Sequence, residues 1–405
     1  MRAVLLSPSY PAEMINFSRG LAEVGVAVYG VGDTPRASLP DKVKPYLADY
    51  LQVPKIMDEL DVMNRVSDWL RGRTIDRVLV NWEPLVLLAA RLRERWGIPG
   101  MSVDTVLGFR DKQIMKERVA AAGLRVPKSR RVHTAAEVFE TVEEIGYPLI
   151  LKPIARAGCA DTFHVRDKSE LNAALAAMGG HAEASCEEYI DGEEFTYDTV
   201  CIDGRPMMEN VTQYIPKPLV ARTVEWISPF AISVRDTKQP KIATGIELGR
   251  GVLKALNMGD GFTHMEWYLT PKGEAVFGEI ACRPGGAGLV DQINYTYDAD
   301  FFREWARIAC WHHYEGPFER KYNVGIIFKR AQGWGTIQRI EGLRNFLHEC
   351  GGWVVEDKLL RPGTPRRDWK QTQVSDGHLM VRHPDWDTAL KMCQMAAANI
   401  KMYAQ

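Results

Sequence analysis

The sequence predicts a multidomain protein of mixed α/β and α+β class, on three observations. The chain has 405 residues, past the size at which one hydrophobic core keeps growing, so about two to four domains are expected. Its first hundred residues alternate short apolar runs with amphipathic helical stretches, the pattern of a parallel sheet covered on both faces. Residues 262–281 read instead as an antiparallel hairpin, and residues 323–405 as short strands closed by one helix.

Composition narrows the function. An apolar content of 46% and a charged content of 25% are those of a soluble globular protein. A net charge of −1 leaves no electrostatic footprint for nucleic acid. The opening MRAVLLSPSYPAE has too short an apolar run for a signal peptide and reads as a first strand. No apolar run approaches a membrane span. The seven cysteines are scattered with no CxxC pair, which indicates neither a zinc site nor a disulfide framework and fits reduced thiols in a cytoplasm. The expected partners are therefore small molecules, without nucleic acid or membrane. A homodimer is expected only because two-fold assemblies are the commonest.

In chain order, residues 2–6 form a buried strand, 12–24 a helix and 26–31 a strand ending in Gly32-Asp33. Residues 76–81 are a strand and 84–96 a helix. Ser7-Pro8-Ser9-Tyr10 stands where a dinucleotide-binding glycine fingerprint would follow the first strand, so no dinucleotide site is expected there. Residues 110–123 read as a helix ended by Gly123, with Pro127 soon after. Helices follow at 135–145 and 168–178, with a buried strand at 148–153, a loop at 154–161 and a return strand at 162–165. Strands 186–190 and 195–202 flank an Asp191-Gly192 turn. Helices at 241–256, 299–313 and 386–402 complete the reading.

The hairpin carries the most chemistry. Thr270-Pro271-Lys272-Gly273 is a turn signal between two apolar-aromatic runs. A two-residue loop at Lys272-Gly273 pairs Pro271 with Glu274, and counting outward places Glu266 opposite Glu279. Alternation puts His264, Tyr268 and Ala281 on their face and Met265, Trp267, Leu269, Val276 and Ile280 on the core face. Like charges placed opposite each other repel. A cation between them removes the penalty, and Mg²⁺ takes one or two carboxylates plus substrate phosphates. The alternative is a solvated hairpin with two exposed glutamates.

Other segments offer phosphate and nucleotide contacts. Lys152, at the end of a buried strand, can meet a phosphate as a point charge. The small-residue loop after it, with Gly158 and Arg156, lets backbone N–H groups approach phosphate oxygens. Lys112 sits in the first turn of its helix, where anions are favoured. Glu187 to Ile190 reads as an edge strand whose free backbone groups face adenine, through Glu187, Glu188, Tyr189 and Ile190. Glu194 beyond the turn is placed to accept from ribose hydroxyls. Arg283, before Pro284-Gly285-Gly286-Ala287-Gly288, can clamp a transferring phosphoryl group or a carboxylate. For the substrate, Lys217, Arg222 and Trp226 in the segment 214–229 are candidates, with His264, Gly285 and Gly286. The bland counterparts are surface lysines, an acidic turn and a loop anchored by a tryptophan.

In this order, from about Gly108 to Gly288, these pieces resemble the ATP-grasp superfamily of carboxylate–amine ligases: a DK helix, a lysine at a strand end, an EEYIDGEE hinge, a glutamate hairpin and an ExxxR run. The resemblance implies an N-terminal β/α domain over residues 1–107, a two-lobed ATP-grasp core over 108–195 and 196–315, and a small β-rich domain over 316–405. It implies ATP and Mg²⁺, with Mn²⁺ as a substitute. Lys112 and Lys152 stand at the positions of phosphate-binding lysines, Glu187 to Ile190 beside adenine, and Glu194 at the ribose. Glu266 and Glu279 stand as metal-bridging carboxylates, and Arg283 and Lys152 as catalytic groups. Ala281 departs from the pattern, since many members have asparagine there, as some purine-pathway members do not.

The implied reaction converts a carboxylate and ATP to an acylphosphate and ADP, and an amine then displaces phosphate to give an amide. A triphosphate carries roughly four negative charges, and unit charges about 4 Å apart interact by about 4 kcal/mol at an effective dielectric of about 20. Lysines, arginine and cations must therefore neutralise the site. The loop 154–161 is the expected lid that excludes water. Two other readings are a purine-pathway-like enzyme activating bicarbonate or formate, and a non-catalytic ATP-binding protein.

Overall fold

The structure, a computed structural model, describes residues 1–153, 162–179, 183–372 and 374–405. The expected phosphate loop and lid, with Arg156 and Gly158, lies outside the described residues. No helix among the described residues is long and apolar enough to cross a membrane.

Four sheets organise the described residues. The first is parallel, with Leu47–Gln52, Ala27–Gly32, Arg2–Leu6 and Arg77–Leu79 in that spatial order. Helices Met14–Glu23, Glu59–Trp69 and Val86–Trp96 accompany it. The strand Leu47–Gln52 and the helix Glu59–Trp69 are absent from the sequence reading. The strand lies at the sheet edge and is only half buried, so it lacks an apolar run. The helix carries a cap, the Asp58 side chain accepting from the Asp61 N–H, and an apolar stripe of Val62, Val66 and Leu70 at helical spacing, two signals the sequence expectation did not use.

The second sheet is antiparallel, ordered Ser129–Val132, Ala184–Glu188, Leu149–Pro153 and Phe163–Val165. Helices Ala135–Ile145 and Lys168–Ala177 supply the rest of its core, with Leu149, Leu151 and Cys186 fully buried. The expected helix over 110–123 is observed as Lys112–Ala121, and a further helix absent from the sequence expectation precedes it. Val103–Arg110 ends at Asp111, whose extended backbone and side chain cap a new helix, Lys112–Ala121. The Asp111 carboxylate accepts from the Gln113 and Ile114 N–H groups, which fixes Lys112 in the first turn.

The third sheet has eight strands: Ala275–Ala281, Gly261–Leu269, Glu193–Ile202, Arg205–Ile215, Phe230–Ser233, Asn323–Phe328, His378–His383 and Val354–Asp357. The hairpin strands and the tail strands thus belong to one sheet that runs through both the 196–315 and 316–405 stretches. A small fourth sheet joins Gln332–Gly333, Lys401–Ala404 and Ile337–Glu341. One face of the large sheet is dry. Phe195, Tyr197, Met265, Trp267 and Phe277 bury there beneath the helix Pro240–Ala255. That helix comes close because Gly245 and Gly249 present no side chain to the rings of Trp267 and Tyr197. With its apolar residues spent on that face, the sheet is free to carry polar groups on the other.

A Cβ at Gly249 would lie 2.3 Å from the Tyr197 ring. Gly249→Ala is expected to overpack this contact and cost about 1–3 kcal/mol, read as a lower urea midpoint at unchanged slope.

Candidate active site

The site starts with the hairpin register. Glu266 does lie opposite Glu279, and His264 opposite Ala281. The turn is not the one expected. Thr270 N–H donates to the Glu274 carbonyl and Gly273 N–H to the Thr270 carbonyl, which shifts the ladder by one residue from Leu269↔Ala275 to Trp267↔Phe277. A bulge at Gly278 restores the register at the glutamates. Only glycine fits there, since a Cβ would sit 2.7 Å from the Glu266 carbonyl oxygen. The bulge also corrects the core face. Val276 pairs with Tyr268, on the side of the glutamates, and Phe277 takes the expected place of Val276 beside Trp267.

Positive charge converges on this pair. Lys112 Nζ lies 2.5 Å from Glu279 Oε2. Burial alone would raise Glu279, but the Lys112 and Lys152 ammonium groups outweigh it and hold the carboxyl down at about 2. Glu266 moves the other way: burial, and then the facing Glu279, raise it. Two facing carboxylates displaced in opposite directions are what like charges across one ladder rung produce. A hard divalent cation between them would relieve the conflict, so the residues present fit one.

Lys152 meets the buried Glu187, Nζ to Oε2 at 2.9 Å. Glu187 Oε1 is 2.7 Å from Lys116 Nζ and accepts from Ser185 Oγ at 2.6 Å. Burial opposes the Glu187 charge, yet Lys152 and Lys116 hold it far below the usual carboxylate range. Lys116 is pushed down to about 8, by burial first. The sequence reading missed Lys116, although its i, i+4 spacing from Lys112 puts both on one helix face.

The hinge differs from expectation. Ala184–Glu188 is an inner strand, paired on both sides, because Ser129–Val132 covers the edge expected to be free. The Glu188 N–H donates to the Lys128 carbonyl and the Tyr189 N–H to the Pro148 carbonyl. The Glu187 and Glu188 side chains are also committed, Glu188 to Arg125 and the Lys128 N–H. Only Tyr189 and Ile190 lie past the ladder. The Tyr189 ring stacks on His164 at 4.1 Å, and Lys217 Nζ sits 5.8 Å from its centre. Glu194, on the strand beside the hairpin and opposite Tyr268, is buried. Burial, and then Glu266, raise it well above the usual range.

Arg283 pairs with neither glutamate of the hairpin. Its Nε is 2.7 Å from Glu83 Oε2, and Glu83 Oε1 takes Arg110 at 2.8 Å. Glu83, which the sequence reading passed over, thus ties the first β/α layer to the ExxxR run. Asp198 was missed as well. It is fully buried and takes His264 Nδ1 at 2.6 Å, and Thr196 Oγ1 donates to its other oxygen. His264 Nε2 then lies 3.9 Å from Glu266 Oε1. The expected loop at 214–229 contains a short helix, Pro218–Thr223. Lys217 before it pairs with Asp191 at 3.1 Å, and Arg222 Nη2 donates to the Lys370 carbonyl.

These groups line one cavity of about 1490 Å³. Among the described candidates, Lys112, Lys152, Glu187 to Ile190, Glu194, Lys217, Arg222, His264, Glu266, Glu279, Arg283, Gly285 and Gly286 all contribute. Trp226 does not. It is half exposed and packs on Arg366 instead, 5.0 Å from guanidinium to ring centre.

The family described as carbamoyl-phosphate synthase L chain, ATP binding domain, matches residues 111–192. Over its whole length the chain superposes on an L-amino acid ligase from Bacillus licheniformis, with a TM-score of 0.80 and 98% of that chain covered, at 20% identity. The chain thus has the ATP-grasp fold, with an ATP-binding domain matched over residues 111–192. A second ATP-grasp structure, N5-carboxyaminoimidazole ribonucleotide synthetase from Thermotoga maritima, covers the whole chain and 99% of its own at a TM-score of 0.73 and 19% identity. At these identities the likeness is one of fold. In sequence, the L-arginine-specific L-amino acid ligase of Bacillus subtilis is 27% identical over 272 residues, which span 65% of this chain and 65% of that relative.

Breaking a buried ion pair from one side costs about 3–5 kcal/mol, so Glu187→Gln is expected to lower stability by that order at pH 7. The folded carboxyl lies below its unfolded value, so its contribution is full above about pH 4.3 and fades as pH falls from there. Urea titrations should find the mutational penalty large at pH 7 and smaller at pH 3.

Proposed function

We propose that this protein is an ATP- and Mg²⁺-dependent carboxylate–amine ligase that forms an amide bond through an acylphosphate and releases ADP and phosphate. One observation carries the reading: the Glu266–Glu279 pair shares a single cavity with Lys112, Lys152 and Arg283. A protein that merely binds nucleotide needs no arginine at the far side of its metal carboxylates. The sequence and fold likeness to L-amino acid ligases supports the same reading.

On this reading Glu266 and Glu279 hold Mg²⁺, which when bound neutralises phosphate charge. Lys112 and Lys152 bind phosphate oxygens, with Lys152 steadied by Glu187, which leaves Glu187 a positioning role. Tyr189 and Ile190 border adenine, and Glu194 accepts from ribose hydroxyls. Arg283, oriented by Glu83, meets the carboxylate that attacks the γ-phosphorus. The carboxylate oxygen bonds to phosphorus as the bond to ADP breaks. The amine nitrogen then bonds to the acyl carbon as phosphate leaves and the nitrogen gives up a proton.

A second reading, activation of bicarbonate or formate, is favoured by Ala281, which pairs with His264 where many relatives of the fold carry an asparagine ligand. Bicarbonate- or formate-dependent ATP turnover, with no turnover for amino acid pairs, would select it.

ADP release should be screened over carboxylate and amine pairs, with Glu279→Gln as the control. The variant is expected to lose at least roughly 10²-fold in turnover, about 2.7 kcal/mol of barrier, while its urea midpoint shows a folded protein. Full ADP release by Glu279→Gln would sink the proposal.

A further inference from the structure

Next to the glutamate rung lies a second rung that the proposed chemistry leaves unused. Across three neighbouring strands, Glu279, Glu266 and Thr196 stand in one row, and Ala281, His264 and Asp198 stand in another, two positions along each strand. Alternation puts both rows on the polar face of the sheet. Ala281 carries no donor atom, so what the second row offers the site comes from His264.

The ring of His264 is fixed at one nitrogen. Asp198 is only 1% exposed, and its Oδ1 lies 2.6 Å from His264 Nδ1. A carboxylate oxygen accepts there, so Nδ1 carries a proton, and in the neutral ring the lone pair falls on Nε2. Thr196 Oγ1 donates to the other oxygen of Asp198 at 2.6 Å and holds that carboxylate in place. Gly285 makes room for the ring, since a Cβ there would lie 2.9 Å from Nδ1. Among the described residues Nε2 makes no hydrogen bond, and it lies 3.9 Å from Glu266 Oε1. The ring also lines the cavity that the two glutamates share. A carboxylate on one ring nitrogen and an open lone pair on the other is the arrangement that orients a histidine as a metal ligand.

We propose that His264 Nε2 is a third protein ligand to the cation held by Glu266 and Glu279, and that the site therefore favours a transition-metal dication such as Mn²⁺ or Co²⁺ over Mg²⁺. This rests on the ligase reading, which places a cation between the glutamates; the nitrogen ligand and the metal preference go beyond it. Mg²⁺ keeps to oxygen, and one or two carboxylates with phosphates and water complete its shell without an imidazole. First-row transition dications accept an imidazole nitrogen, and their affinity for such sites rises from Mn²⁺ through Co²⁺. Mg²⁺ still binds through the two glutamates, without help from His264.

The test is Mn²⁺ binding to the full chain with ADP present, followed by electron spin echo spectroscopy of the bound ion. Protein labelled with ¹⁵N-histidine is compared with unlabelled protein, which separates histidine nitrogen from that of adenine or lysine and needs no variant. The wild type should show a histidine nitrogen coupled to Mn²⁺, and His264→Gln should remove the coupling while circular dichroism stays unchanged. The variant should lose at least roughly tenfold in Mn²⁺ affinity, with Mg²⁺ affinity, read by competition, changed less than about threefold. Asp198→Asn, which leaves the ring but loosens its orientation, should weaken Mn²⁺ by about 10–100-fold. Bound Mn²⁺ with no histidine coupling in the wild type, or equal losses of Mn²⁺ and Mg²⁺ affinity in His264→Gln, would overturn the ligand role and leave the cation site standing. Failure of the wild type to bind either ion, or binding indifferent to Glu279→Gln, would overturn the ligase reading and this assignment with it.

Discussion

Glu266 and Glu279 face each other across one rung of the ladder, and the surrounding structure is arranged around the repulsion between them. The bulge at Gly278 forces the confrontation, because without it the turn would set the glutamates out of register. Lys112 relieves one side by pairing with Glu279, and the Asp111 cap places Lys112 where it can do so. Glu266 is left as the carboxylate that burial and its neighbour oppose. An arrangement this unfavourable in the absence of a cation is easiest to understand as one built to hold a cation and its phosphates.

The strands around this rung divide their labour by face. Trp267, Phe277, Tyr197 and Phe195 seal the dry side against the helix Pro240–Ala255. The opposite side carries Glu194, Thr196, Asp198, His264 and Tyr214, a density of polar groups that a half-buried sheet tolerates only when they are paired or bind something. The helix Leu289–Tyr297, fed by the glycine run after Arg283, covers part of that face, with Gln292 Nε2 donating to the Ala231 and Val324 carbonyls. What stays open is the strip from the hairpin to Arg330.

Much of this was legible in the sequence, for reasons that can be named. Turn chemistry and period-two alternation were enough to pair Glu266 with Glu279, although the turn was misjudged and the bulge corrected the count. Lys112, Lys152, Glu194 and Arg283 were found through the order of motifs, and all line the cavity. The misses are long-range or hidden by polarity. Glu83 meets Arg283 across two hundred positions of chain, which no local pattern reports. The strand Arg205–Ile215 escaped because Glu209, Asn210 and Gln213 interrupt its apolar residues, yet it is an inner strand of the sheet. The hinge was read as an edge because nothing in residues 187–190 tells that Ser129–Val132 pairs alongside. Asp198 had a signal that was not used, since it alternates with Glu194 and Thr196 on one face of the same strand.

Binding of Mn²⁺ measured by electron paramagnetic resonance with ADP present tests the proposed cation site at Glu266 and Glu279 most directly. The wild-type protein should bind Mn²⁺, and Glu266→Gln and Glu279→Gln should each weaken that binding by at least roughly tenfold, about 1.4 kcal/mol, while circular dichroism stays unchanged. Equal Mn²⁺ affinity in the wild type and both variants would contradict the account.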